Sequence, residues 1–351
     1  GIFKTTDAAQ NWTLVDTSGC GDAVVIDPAD SNRIISTDAI SLDGGVSWTP
    51  SRPNFRPGEA TPEFDDGGRS YAFQPGSGRI LAGGDKWGIY RSDDNGTTWD
   101  PSRSGLHAGV ASDIAPLDRD LLIAPIDEIG IFRSTDGGKS WSPTDSPEDF
   151  DFNRLEFSPS DRQVGYVGTQ SNGIYRTGDG GLTWQAANTG IEDASVEDIA
   201  IDPTDPDHLY AATDTFSAGG VFISSDGGQS WMPSGLALAS GGEVFALAIH
   251  PTDGNTVYAG VYDPNGAHSQ AVYRTSNGGQ DWQLTDTSID AGGDGVAGLE
   301  IDPVEPPAGL GVPGERDEAL PIRMPLNPAG GAEVDVKTAH LFSILAAEAD
   351  L

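Results

Sequence analysis

The sequence predicts an all-β fold, a seven-bladed β-propeller of four-stranded antiparallel blades, on three observations. The pattern Ser/Thr-x-Asp-x-Gly-x-x-Trp recurs seven times along the 351 residues, at a period of roughly 43 residues. A short apolar strand ending in proline also recurs seven times and interleaves with the first series. Glycine (47) and proline (24) are abundant and no stretch of 18 or more apolar residues is present, as in a turn-rich β protein without a membrane-spanning helix.

The elements follow in chain order. The first pattern runs over Thr5–Trp12, Ser41–Trp48, Ser92–Trp99, Ser134–Trp141, Thr177–Trp184, Ser224–Trp231 and Thr275–Trp282. Its acidic position is Asp7, Asp43, Asp94, Asp136, Asp179 and Asp226, then Asn277 in the last copy, and Ala9 stands in the first copy where the pattern has glycine. The closing indoles are Trp12, Trp48, Trp99, Trp141, Trp184, Trp231 and Trp282, seven of the eight tryptophans. The proline-ended strands close at Pro28, Pro75, Pro116, Pro159, Pro203, Pro251 and Pro303. One unit reads as four strands, Val196–Pro203, His208–Thr213, Gly220–Ser225 and Gln229–Pro233, and short strands separated by turn residues mean antiparallel hairpins. Four-stranded sheets repeated about an axis are propeller blades. The chain opens on the third strand of a unit, Gly1–Thr5, and the last recognisable piece is a first strand, Val296–Pro303, so both ends are expected to share one blade. Residues 1–303 are assigned to the propeller. Residues 304–351 form a Pro/Gly-rich, poorly specified tail, with Ala332–Thr338 the candidate for the missing second strand of the shared blade.

In Ser134-Thr-Asp-Gly-Gly-Lys-Ser-Trp141 a serine, an aspartate and a lysine sit together as they would in a small active site. The bland reading is stronger. The carboxylate can accept backbone N–H groups further along the turn, Gly138 supplies a positive φ, and the indole folds back to bury its ring between sheets. Seven copies of a hairpin staple are what a propeller requires, and function on a shared fold lives in residues that are not repeated.

The repeat is the Asp-box, or BNR, pattern, and residues 1 to about 303 resemble the Asp-box β-propeller superfamily. That superfamily includes sialidases, sortilin-type receptors, xyloglucan-hydrolysing glycosidases and photosystem II assembly factors. Ile201–Thr213 followed by Gly220–Trp231 is most similar to the glycosidase and sortilin branches. The resemblance implies that the Asp-boxes lie opposite the functional face. Ligands would then meet the loops between second and third strands and the junctions between blades. Those loops carry Asp85, Asp127, Glu128 and Asp151 as candidate acid and base groups, since glycoside hydrolysis uses two carboxyls flanking the scissile bond. They also carry Trp87, Lys86, Arg52, Arg56 and His107 as candidate ligand contacts, Trp87 as a ring that could stack on a sugar. Each has a structural alternative: Trp87 as a wedge between blades, the carboxylates as part of an acidic surface. The sialidase branch implies a Phe/Tyr-Arg-Ile-Pro motif ahead of the first box. Ile322-Arg-Met-Pro325 follows the last one, and Lys4, Arg91, Arg133, Arg176 and Arg274 recur in one repeat register as blade-to-blade structural contacts, so sialidase activity is not expected.

The 54 acidic residues against 19 basic ones give a net charge of −35. Self-repulsion of that size destabilises a compact state unless salt screens it, which predicts a salt-adapted source. Nucleic acid and anionic membrane surfaces both require a basic footprint, so neither is an expected partner. Cys20 is the single cysteine, so no intramolecular disulfide and no cysteine-based zinc site can form. His107 and His268 have no ligand spacing to another histidine, and neither metal nor cofactor is expected. The reading is a monomeric, non-catalytic binding or scaffolding propeller that holds a protein or glycan through its loop face. An extracellular or cell-surface location is favoured. The alternative is a glycoside hydrolase closer to xyloglucanases than to sialidases.

Overall fold

The computed structural model describes residues 2–5, 13–16, 24–36, 39–51, 70–84, 88–106, 109–147, 150–214, 220–236, 238, 242–263, 270–286, 300–301 and 322–325. Near the N-terminus lie β1 (Ile2–Thr5) and β2 (Thr13–Asp16). The first blade contains β3 (Val24–Asp27), β4 (Asp30–Ser36), β5 (Ala39–Ser41) and β6 (Thr49–Pro50). The second contains β7 (Tyr71–Gln74), β8 (Arg79–Gly84), β9 (Gly88–Ser92) and β10 (Asp100–Pro101). The third contains β11 (Ala115–Pro116), β12 (Leu122–Ile126), β13 (Gly130–Ser134) and β14 (Ser142–Pro143). In the fourth are β15 (Phe152–Phe157), β16 (Gly165–Thr169), β17 (Ile174–Thr177) and β18 (Gln185–Ala186). In the fifth are β19 (Ser195–Ile201), β20 (Leu209–Asp214), β21 (Gly220–Ser224) and β22 (Met232–Pro233). The sixth has β23 (Glu243–His250), β24 (Asp253–Tyr262), β25 (Gln270–Thr275) and β26 (Gln283–Asp286). Each is an antiparallel meander whose strands pair in sequence order.

The expectation of seven equivalent blades is corrected to six. Only six sheets are built, among the described residues, from four consecutive strands. What remains is a sheet drawn from both ends of the chain, ordered β2-β1-β28-β27, with β27 (Glu300–Ile301) reduced to two residues and β28 (Ile322–Pro325) twenty residues further on. The physical reason is local: the sequence after Ile301 is Pro/Gly-rich and does not match the repeat, and the strand paired with β27 is Ile322–Pro325. The strand beside β1 is Ile322–Pro325, paired from Ile2 opposite Pro325 to Thr5 opposite Ile322. Ala332–Thr338 lies outside the described residues, as do Asp7 and Trp12 of the first Asp-box.

First strands of neighbouring blades pack on one another, so they are innermost, and apolar residues between successive sheets form the core. One cluster joins Tyr166 and Ile174 of the fourth blade to Val196, Ile199 and Leu209 of the fifth, under Trp231. The fourth strands are shorter than Gln229–Pro233 predicts, because Gln229–Trp231 belongs to the Asp-box turn. Four of them end in proline, at Pro50, Pro101, Pro143 and Pro233. A proline offers no N–H to a further strand, so it closes an outer edge against added pairing.

In the Ser134–Trp141 box, Ser134 Oγ donates to Asp136 Oδ1 at 2.9 Å and accepts from the Gly138 N–H at 2.9 Å. The Ser140 N–H reaches Asp136 Oδ1 at 2.9 Å and its hydroxyl reaches Oδ2 at 2.6 Å. Gly138 has φ 80°, where a β-carbon would also press on Leu122 at 3.1 Å. Trp141 is buried, and its Nε1 donates across the blade boundary to Ser102 O at 2.9 Å. The same aspartate bonds recur at Asp43, Asp94, Asp179 and Asp226. At Asn277 the last bond reverses: its Nδ2 donates to Asp281 Oδ2 at 3.0 Å, with an acid standing where the other boxes have a hydroxyl.

Candidate functional site at the loop face

The antiparallel topology puts the Asp-box turns and the first-to-second strand turns at one end of every blade. Starts of first strands, ends of second strands and blade junctions lie at the other. At that loop face the β12–β13 turn and the β14–β15 junction meet. Asp127 Oδ1 accepts the Phe152 N–H at 3.0 Å, the Glu128 N–H donates to Phe150 O at 2.9 Å, and the Gln170 N–H donates to Asp151 O at 3.0 Å. Glu128 holds φ 63°, a conformation few non-glycine residues adopt. The structure thus brings Asp127, Glu128 and Asp151 into one neighbourhood, with the Asp127 carboxylate engaged in tying the third blade to the fourth. Asp85, Lys86, Trp87, Arg52, Arg56 and His107 lie outside the described residues.

A second group, which the sequence reading passed over, lies nearer the axis. The first strands β15, β19 and β23 each carry a β-bulge near their loop-face ends, which places Asn153, Glu197 and Phe245 in corresponding positions. A bulge re-aims a side chain that a regular ladder would alternate away. Glu197 Oε1 accepts from Ser195 Oγ at 2.5 Å and from Asn153 Nδ2 at 3.3 Å, and Asn153 Nδ2 also meets Ser195 Oγ at 3.2 Å. Burial raises the Glu197 carboxyl to about 7; the Ser195 hydrogen bond opposes this, and the negative fields of Asp214 and Glu243 add to it. Burial also raises Asp214, and it raises Glu243 together with the Asp214 charge. These groups form an acid that holds its proton near neutrality beside two further carboxyls, able to donate a hydrogen bond or a proton to a ligand oxygen.

Beneath it Arg154, 1% exposed, contacts three acids: Asp198 Oδ1 at 2.8 Å from Nε, Glu156 Oε2 at 2.9 Å from Nη2, and Asp113 Oδ2 at 3.4 Å from Nη1. Asp113 also accepts the Leu155 N–H at 2.9 Å, and Asp198 accepts the Leu247 N–H at 2.7 Å, so the cluster links the third to sixth blades. Burial lifts Asp198 to about 6 against the attraction of Arg154. A signal for both groups was present in the sequence: charged residues interrupt innermost strands that are otherwise apolar, as in Asn153-Arg-Leu-Glu156 and Val196-Glu-Asp-Ile199. Lys4 Nζ bonds Gly44 O, at 3.3 Å, across to the first blade, whereas the Arg176 and Arg274 guanidinium groups stand over Tyr166 and Tyr258 of their own blades. Among the described residues no group of three or more His, Cys, Asp or Glu side chains is arranged to hold a metal ion, and no helix is long and apolar enough to cross a membrane.

The family profile described as sortilin, neurotensin receptor 3 matches residues 172–292, and that of the BNR/Asp-box repeat matches residues 132–143. Six described boxes in six four-stranded blades carry the repeat that these profiles describe. The chain is an Asp-box β-propeller. Among solved structures this Asp-box propeller is similar to the GH74 xyloglucanase from Xanthomonas campestris, with 19% identity and a TM-score of 0.60 over 79% of this chain and 50% of that one. It is similar to an ancestral GH74 enzyme, with 19% identity and a TM-score of 0.60 over 82% of this chain and 39% of that one. YCF48 bound to D1 peptide shares 19% identity and a TM-score of 0.53 over 78% of this chain and 85% of that one. The Asp-box propeller spans about half the length of the Xanthomonas enzyme. At these identities the likeness establishes the fold alone. No curated protein matches the sequence.

Proposed function

We propose that the propeller is a binding or scaffolding module that recognises a protein or glycan partner through its loop face, without chemistry. The observation that carries this reading is that the described loop-face acids are held in place by the fold: Asp127 by the Phe152 N–H, Glu197 by Ser195 and Asn153. A rigid rim of oriented polar groups is what recognition by preorganised contacts requires. The similar YCF48 structure, described as bound to a peptide, supports a protein partner. The proposal takes residues 1–303 as the binding unit and 304–351 as a tail that contributes Ile322–Pro325 to the sheet shared by the two chain ends. It describes a monomer acting outside the cell or at its surface, in a salt-rich setting, without nucleic acid and without membrane insertion.

A second reading, glycoside hydrolysis, is favoured by one observation: Glu197 keeps its proton near neutral pH beside Asp214 and Glu243, as a general acid does. Titration calorimetry with xyloglucan oligosaccharides and with peptides, run beside a reducing-sugar assay, separates the two. Binding without turnover supports the module. Turnover that disappears in Glu197→Gln, Asp127→Asn or Asp85→Asn overturns it in favour of the hydrolase.

A further inference from the structure

The Asp-box of the second blade contains Asn95-Gly-Thr97, an Asn-x-Thr sequence in which x is not proline. Such a sequence is modified only where the asparagine stands on an accessible surface turn. Asn95 meets that condition: it is exposed, it has φ 57°, and Thr97 beside it is exposed. The side chain is also oriented. Its Oδ1 accepts from Arg33 Nη2 at 2.7 Å, and that guanidinium is fixed in turn by Asp27 and by Gly78 O at 2.8 Å. Nδ2 makes no hydrogen bond among the described residues, and the residue is exposed while its oxygen is anchored on the first blade. The Gly96 N–H, whose attack on the side-chain amide would begin deamidation, is instead donated to Ser92 Oγ at 2.8 Å, which preserves the amide.

We propose that Asn95 is an N-glycosylation site. The donor class is a lipid-linked oligosaccharide phosphate or diphosphate. Asn95 Nδ2 bonds to the anomeric carbon of the first sugar, the bond from that carbon to the phosphate oxygen breaks, the lipid phosphate leaves with the electron pair, and the amide nitrogen gives up one proton. The product keeps Oδ1 as acceptor, so the Arg33 contact survives modification. Because the box lies at the end of the blade opposite the loop face, the glycan projects away from the Asp127 and Glu197 region, and the inference does not depend on what that face binds. The other Asn-x-Ser/Thr sequence, Asn11-Trp-Thr13, has its asparagine outside the described residues.

Trypsin releases residues 92–103 as one peptide, between Arg91 and Arg103. In protein purified from its native host, this peptide is expected to weigh more than its sequence by the mass of one or more sugar residues. Enzymatic deglycosylation in heavy-oxygen water should leave a labelled aspartate at position 95. Thr97→Ala, which retains Asn95 and its Arg33 contact, should return the peptide to its sequence mass, and Thr97→Ser should not. An unmodified peptide from the native host, or sugar that persists in Thr97→Ala, overturns the proposal. The mass readout holds even if a variant folds poorly.

Discussion

At position 277 an amide does the work that an aspartate does in the other described boxes, and its partner has changed with it: Asn277 Nδ2 donates to Asp281, where elsewhere a hydroxyl donates to aspartate. Asn277→Asp alone would set two carboxylates at a position where the present atoms are 3.0 Å apart. It should cost about 1 kcal/mol, since the pair is exposed and water screens the repulsion. Asp281→Ser in that background should recover the loss. A double-mutant cycle by urea unfolding checks this, and additive single effects would show the two residues to be independent. A second residue-scale outcome concerns protons. Glu197 and Asp198 are held at about 7 and about 6, above the values of an unfolded chain, so the folded protein retains protons that the unfolded chain releases. Their favourable contribution is present in full below about pH 4 and is lost as pH rises to about 7. Glu197→Gln should therefore leave stability at pH 4 little changed and raise it at pH 8 by on the order of 3 kcal/mol. Equal denaturation midpoints for both proteins at pH 8 would refute the assignment.

At the scale of elements, the Asp-box carries the opposite pH sign. Hydrogen bonds from the Ser47 hydroxyl and N–H hold Asp43 at about 2, and those from Ser140 hold Asp136 there. That stabilisation is present above the ordinary carboxylate value of 3.8 and is lost as pH falls toward 2. Asp136→Ala removes the acceptor of the Ser140 bonds and should cost roughly 1–3 kcal/mol. It should also weaken the acid transition seen by circular dichroism, and an unchanged melting temperature would show the turn to be held by its glycines alone. The boxes were legible in the sequence because each is a local circuit closed within eight residues. The blade strands were legible because apolar alternation and proline stops mark them. Glu197 was marked only by the charged pair that interrupts Val196–Ile199, and its meeting with Asp214 and Glu243 was hidden, since strands from two blades bring them together. The pairing of Ile322–Pro325 with β1 was also hidden, since no periodicity leads to it, and so the count of seven repeats overstated the six consecutive blades.

For the molecule as a whole, the net charge of −35 exceeds what any described ion pair offsets. Unfolding midpoints should rise steeply as potassium chloride is raised from dilute buffer toward molar concentration, where the screening length contracts to about 3 Å. The same midpoint at both extremes would show that the surface charge is tolerated without counterions. The Arg154 cluster is shielded from that screening by burial, so its contribution should stay constant across the titration. Removing the cation while the three acids remain, as in Arg154→Met, should cost about 3–5 kcal/mol at any salt concentration.

The indoles of Trp141 and Trp231 each donate to a carbonyl of the preceding blade, Ser102 and Ala187. Their light emission therefore reports on a seam between two sheets. If one seam opens while the others stay shut, the spectrum should shift toward the red by a fraction of its full amplitude, so a stepwise change on heating would resolve which parts of the ring part company first.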